Sequence, residues 1–136
     1  IDMMTDIMME TPLDGIVATN TTTSREGLRS VPETVARIGN GGLSGAPLTE
    51  RSIEVVRRIH ERSRGTYPII GVGGVMTPAQ AQAMLDAGAS LVQVYSGLIY
   101  NGPGFVKEIC RHLTEAGRQR AEPAGQQDSG RQGQDA

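Results

Sequence analysis

"PIIGVGGV", residues 68–75, is the stretch on which the fold turns. An apolar run breaks into three glycines within four positions, Gly71, Gly73 and Gly74, and then returns to an apolar residue at Val75. A short run so continuously apolar reads as a strand buried on both faces, the kind that parallel sheets contain. Bare backbone at its end has two uses: amide groups can close on an anion, or a helix can pack tightly against the strand. The run is not the dinucleotide-binding fingerprint, because Met76 stands where that motif places its third glycine.

Working outward, the same theme recurs. "GIVAT" (15–19) and "SLVQVY" (90–95) are two further apolar runs of strand length, rich in β-branched residues. Helical stretches lie between and after them. "TERSIEVVRRIHERSRG" offers Thr49 as N-cap, a stripe of Ile53, Val56 and Ile59 with Val55 beside it, and Gly65 as terminator. "TPAQAQAMLDAG" has Thr77 as N-cap, Pro78 at the first helical position, Gln80 completing a capping box, and Gly88 as stop. "GPGFVKEICRHLTEAG" predicts a helix from about Pro103 to Gly117 that buries Phe105, Val106, Ile109, Cys110 and Leu113. Strands alternating with helices predict right-handed βαβ units around a parallel sheet.

The flanks read differently. "IDMMTDIMME" resembles the middle of a helix, with Met3, Met4, Met8 and Met9 facing a core; it suggests a chain that begins inside a larger protein. Residues 21–48 show little periodicity, and loops of that length in compact domains are usually functional. From Arg118 to Ala136 there is no large apolar residue, which predicts a disordered tail after a folded unit of residues 1–117.

Composition excludes several function classes. The 136-residue chain carries a formal charge of −2 with its 13 Lys and Arg scattered, so it has no electrostatic footprint for nucleic acid. No apolar run approaches the roughly 20 residues that cross a bilayer. A single cysteine, Cys110, allows no internal disulfide and no Cys-based zinc site, and it reads as packing. His60 and His112 have no partner at ligand spacing and read as surface or boundary residues, so no metal is expected.

The informative polar residues all follow a strand: "TNTTTS" the first, "GGV" the second, "SG" the third. Ligands collect at that edge of parallel α/β folds, and in (β/α)8 barrels phosphates recur after the last two strands. Each feature also has a plainer reading. Asn20 with its threonines is also consistent with an Asx turn that merely ends a strand, and Tyr95-Ser96 with a simple strand terminus.

Taken together, "DGIVATNTTTSREGL", "GGLSGAPL", "PIIGVGGV" and "AGASLVQVYSGLIYNGPGFVKEI" resemble the C-terminal part of the dihydroorotate dehydrogenase family, in its quinone-linked class 2 form, across most of residues 14–113. "QVYSG" is what favours class 2. The resemblance implies an α/β fold, the last three strands and helices of an FMN-carrying (β/α)8 TIM barrel, working in de novo pyrimidine biosynthesis. It implies that Thr19, Gly45, Gly74, Tyr95 and Ser96 hold FMN, the glycines and Ser96 around its phosphate, and that Asn20 and Thr21 bind dihydroorotate or orotate. It implies electron transfer to quinone through an N-terminal region upstream of this segment, and peripheral attachment to the cytoplasmic side of a bacterial inner membrane, or to the mitochondrial inner membrane. The family's serine base and flavin-contacting lysines also precede the segment, so no catalytic residue is assigned here; Ser24, Ser44 and Ser96 do not sit in the matching motif. A soluble-class dihydroorotate dehydrogenase, another FMN barrel such as a dihydrouridine synthase, and a non-catalytic phosphate-binding module are the alternatives. Because a barrel takes about 250 residues to close, three units by themselves are expected to be sticky, to bind FMN weakly and to turn over nothing.

Overall fold

A computed structural model describes residues 1–121. In chain order the elements are α1 (Asp2–Glu10), β1 (Ile16–Ala18), α2 (Pro32–Ile38), a 3-10 turn (Ala46–Leu48), α3 (Thr49–Arg62), β2 (Ile69–Val72), α4 (Pro78–Asp86), β3 (Leu91–Gln93), α5 (Ser96–Asn101) and α6 (Phe105–Ala121). The three strands pair in parallel in the order β1-β2-β3, as the alternation predicts.

The core lies on one face of this sheet. Ile69 of β2 is fully buried against Val56 and Ile59 of α3, Ala81 and Met84 of α4, and Phe105 and Ile109 of α6. A Cβ added at Gly71 would overlap Met84 Cγ and come within 2.8 Å of its Sδ. The first glycine of the opening stretch is therefore explained by strand-to-helix packing.

The other face departs from expectation. Val17, Ile70 and Leu91 stand in register across the three strands, and Val17 and Leu91 are 58% and 62% exposed. Burial on both faces is not realised among the described residues, because their helices cover one face only. In a closed (β/α)8 barrel such a row points at the axis, where side chains of the remaining strands fill the interior.

Helix starts and stops follow local chemistry. At α4 the capping box forms: Thr77 Oγ1 accepts from the Gln80 amide at 3.3 Å and Gln80 Oε1 accepts from the Thr77 amide at 3.0 Å. Gly88 then ends the segment at a φ of 110°. Thr49 is not an N-cap; it is the first residue inside α3, and its hydroxyl lies 2.6 Å from the Gly74 carbonyl. The buried stripe of α3 is Thr49, Ser52, Val56 and Ile59, so this helix turns two hydroxyls toward the sheet and leaves Ile53 half-buried. The preceding 3-10 turn sets that rotation, which the apolar residues alone did not reveal.

Further corrections concern α6, α1 and the loop. Helix α6 begins at Phe105 and passes through Gly117 to Ala121; the rest of the expected tail, 122–136, lies outside the described residues. Phe105 and Ile109 are buried and Leu113 half-buried, but Val106 and Cys110 are exposed, because only the i, i+4, i+8 row meets the core. In α1 only Met8 of the four methionines is buried; Met3, Met4 and Met9 are exposed, since α1 meets α3 along a single Thr5–Met8 edge. The 21–48 stretch contains α2, which buries no residue and so left no apolar periodicity to read.

Two bidentate ion pairs fasten α1 to α3: Arg58 to Asp2 and Arg62 to Asp6, with N–O distances of 2.5–2.6 Å. The arginine hydrogen bonds hold both carboxyls below their ordinary value of 3.8. A carboxyl lowered on folding stabilises the native state above its unfolded pKa, and that contribution disappears as pH falls through the folded value. The pairs are solvent-exposed, so the effect is modest and salt-sensitive. Replacing both acids (Asp2→Asn with Asp6→Asn) is therefore expected to lower the melting temperature near neutral pH in low salt. The difference from wild type should shrink as pH falls below 3.8 and also on adding about 1 M salt.

Candidate functional site

The C-terminal ends of the three strands, with the 3-10 turn, enclose a hollow of about 180 Å³. Thr19, Asn20, Thr21, Gly45, Gly74, Tyr95 and Ser96, the seven residues singled out from sequence, all line it. They come from four separate stretches of chain and are brought together by four local devices.

At the end of β1 the Thr19 amide donates to the Val72 carbonyl at 2.6 Å, carrying the ladder one residue past the strand, and the Ala18–Thr19 peptide is cis. The Thr19 hydroxyl lies 2.8 Å from Ser52 Oγ of α3. Asn20 Oδ1 accepts the Thr21 amide at 2.7 Å, a contact between adjacent residues and not the bond to the second residue on that makes an Asx turn, so that plainer reading is not realised; the carboxamide NH₂ is left without a protein acceptor among the described residues.

The loop between β1 and α3 is closed at its neck by an antiparallel bridge, Thr22 to Leu43, with N–O distances of 3.0 and 2.7 Å. Arg25 braces it internally by donating to the carbonyls of Thr23, Gly39 and Gly41. This brace returns the chain to the hollow and delivers Ser44 and Gly45 to its rim. Ser96 Oγ lies 3.2 Å from Ser44 Oγ, joining that rim to the start of α5.

After β2, Gly73 and Gly74 adopt φ values of 114° and 75°, which favour glycine. A Cβ at Gly73 would lie 2.5 Å from Ser52 Oγ, and one at Gly74 would lie 2.5 Å from Thr49 Cα. The turn is thus pressed onto the first turn of α3. After β3, Tyr95 holds its ring largely in solvent at the lip, and Asn101 ties α5 back by donating to the carbonyls of Met76 and Gly97 at 3.1 and 2.8 Å.

The electrostatics are those of neutral dipoles. Among the described residues no Asp, Glu, Lys, Arg or His lines the hollow. The amides of Gly45, Gly74 and Ser96 have no acceptor among the described residues. Buried amides are normally paired, and both Gly45 and Gly74 are buried. Three unpaired donors on the rim of one hollow, with no carboxylate to repel a ligand, fit the demand of a phosphate.

Several contributors escaped the sequence reading. Ser44 sits beside a glycine that was identified, so adjacency was the available signal. Thr49 and Ser52 announce themselves only as hydroxyls in register with the core stripe of α3, and nothing local distinguishes Asn101.

Parallel strands, helices on one face and a hollow at the strand C-termini define a portion of a (β/α)8 barrel. The sequence model of the family described as dihydroorotate dehydrogenase matches residues 1–116, and the chain belongs to that family. It is 52% identical over 122 residues to the dihydroorotate dehydrogenase (quinone) of Kineococcus radiotolerans, covering 90% of this chain and 33% of the relative. The enzyme of the same description from Thermobifida fusca is 51% identical over 118 residues, 87% of this chain and 31% of the relative. The crystal structure of ligand-free dihydroorotate dehydrogenase from Eimeria tenella superposes with a TM-score of 0.78 at 37% identity, over 88% of this chain and 32% of that one. The chain thus spans about a third of the length of the relatives it matches.

The two rim glycines should respond differently to a methyl group. Both Gly45→Ala and Gly74→Ala incur the backbone penalty of a positive φ, of order 1–3 kcal/mol. Only at Gly74 would the methyl also meet backbone, whereas at Gly45 the nearest atom is Ser96 Cβ at 3.8 Å. Denaturant unfolding should show Gly74→Ala to be the more destabilising by at least about 1 kcal/mol.

Proposed function

We propose that this chain forms the phosphate-holding and part of the substrate-holding rim of a quinone-dependent dihydroorotate dehydrogenase, the enzyme that oxidises dihydroorotate to orotate. The observation that carries the reading is the convergence of Thr19, Asn20, Thr21, Gly45, Gly74, Tyr95 and Ser96 on one hollow at the strand ends. Family membership supports it, as do the names of the curated relatives, which specify quinone as the acceptor.

In this reading the amides of Gly45, Gly74 and Ser96 hold the FMN phosphate. When bound, FMN supplies the hydride acceptor for the oxidation. Neutral donors suit a dianion here, because their strength does not change with pH near neutrality and their positions are fixed by α3 and α5 before the ligand arrives. Tyr95 covers the lip, and Thr19 sits between the phosphate end and the substrate end. The Asn20 NH₂ group and the Thr21 hydroxyl offer neutral hydrogen bonds to the imide edge of dihydroorotate, orienting the ring without placing a charge beside it. Residues 1–117 serve as the partial barrel unit. Association with a membrane surface belongs to the same proposal; among the described residues no helix is long and apolar enough to cross a membrane.

In the complete enzyme Asn20→Ala is expected to raise KM for dihydroorotate and lower kcat/KM by roughly tenfold to a hundredfold, the cost of about two hydrogen bonds to a bound ligand, while FMN content stays unchanged. Ubiquinone or menaquinone should support turnover where fumarate and NAD do not. Full activity with fumarate or NAD in place of quinone would refute the quinone assignment.

A further inference from the structure

Ser52 lies on α3, behind the wall of the hollow rather than in it, and is fully buried. Its Oγ is 2.8 Å from Thr19 Oγ1, and Thr19 Oγ1 is in turn 3.3 Å from the Val72 carbonyl. A carbonyl can only accept. When both bonds form, Thr19 must donate to Val72, and Ser52 must donate to Thr19. The chain of protons therefore has one direction, from α3 through β1 to β2.

The surroundings enforce this arrangement. Gly73 leaves the space that the two hydroxyls occupy: a Cβ there would stand 2.5 Å from Ser52 Oγ and 3.0 Å from Thr19 Oγ1. The Thr19 amide is already committed to Val72 at 2.6 Å, so both polar groups of Thr19 that can donate are used inside the protein. What Thr19 retains is a lone pair. With Ser52 in place, Thr19 can serve a ligand only as an acceptor, and Asn20 and Thr21 follow directly on a backbone whose position it sets.

We infer that Ser52 is a positioning residue: it fixes the polarity of the Thr19 hydroxyl and the placement of the Asn20-Thr21 segment without touching any ligand. This rests on the reading of the hollow as the FMN and dihydroorotate site. Loss of the Ser52 hydroxyl frees the Thr19 hydroxyl to rotate and lets the Asn20-Thr21 segment drift, which weakens ligand binding by the worth of about one hydrogen bond, roughly three- to tenfold. Alanine is a better helix former than serine, so the helix itself gains from the change.

The test uses the complete, FMN-loaded enzyme and a double-mutant cycle of Ser52→Ala with Thr19→Val. Orotate affinity is read from the perturbation of the flavin absorption spectrum, alongside FMN content, melting temperature, KM and kcat. Ser52→Ala is expected to retain FMN and weaken orotate binding about three- to tenfold. It should add nothing in the Thr19→Val background, because Ser52 acts through that hydroxyl. Ser52→Cys, close in size and able to donate weakly, should recover part of the loss. Full multiplicative effects in the cycle would overturn the inference, as would a Ser52→Ala enzyme with a shifted melting temperature but unchanged orotate affinity and KM. If Thr19→Val alone changes neither FMN nor orotate binding, the reading of the hollow fails, and the inference fails with it.

Discussion

The closeness of the Gly73-Gly74 turn to the first turn of α3 is the constraint on which the site depends. Two backbones meet there with no side chain between them, since a Cβ on Gly74 would lie 2.5 Å from Thr49 Cα. That contact fixes the end of β2 against the helix that precedes it in sequence. The Thr49 hydroxyl secures the Gly74 carbonyl, and the Ser52 hydroxyl secures Thr19. One helical turn therefore positions the ends of two neighbouring strands at once. The amides of Gly45, Gly74 and Ser96 and the Asn20 carboxamide NH₂ are left without protein acceptors among the described residues.

The three glycines of "PIIGVGGV" turn out to have three separate causes. Gly71 makes room for Met84 on the helix side, Gly73 for the Ser52–Thr19 pair, and Gly74 for the backbone of α3. Anion binding and tight packing were alternatives at the level of sequence, yet in the structure the packing is what creates the bare rim. A site built this way is rigid before its ligand arrives, which lowers the entropy cost of binding.

The parallel order of the strands, the α4 capping box and the strand-end stretches at Thr19–Thr21, Gly73–Gly74 and Tyr95–Ser96 were legible because each has a local signature: a β-branched run, a Thr-Pro-x-Gln start, polar or glycine residues directly after a strand; Gly45 was reached only through the family resemblance. The rest depended on tertiary context. Val17 and Leu91 read as buried because apolar strands normally are, whereas the described helices shield only one side of the sheet. Val106, Cys110 and three methionines of α1 were assigned to cores by hydrophobicity, although each helix meets its neighbours along a narrower edge than its apolar residues suggest. The inward roles of Thr49 and Ser52 rest on the rotation of α3, set by a 3-10 turn that no residue pattern announces. Family resemblance reached the same rim from different information, through the order and spacing of four motifs.

The central claim is that unpaired amides at the rim grip a phosphate. Calorimetric binding of FMN and of riboflavin, which lacks the phosphate, to the apo form of the complete enzyme tests it most directly. The account predicts that FMN binds at least about a hundredfold more tightly than riboflavin, from two or three charge-assisted hydrogen bonds. It also predicts that Gly45→Ala removes most of that preference while leaving riboflavin affinity unchanged. Equal affinity for the two flavins, or a preference untouched by Gly45→Ala, would contradict it.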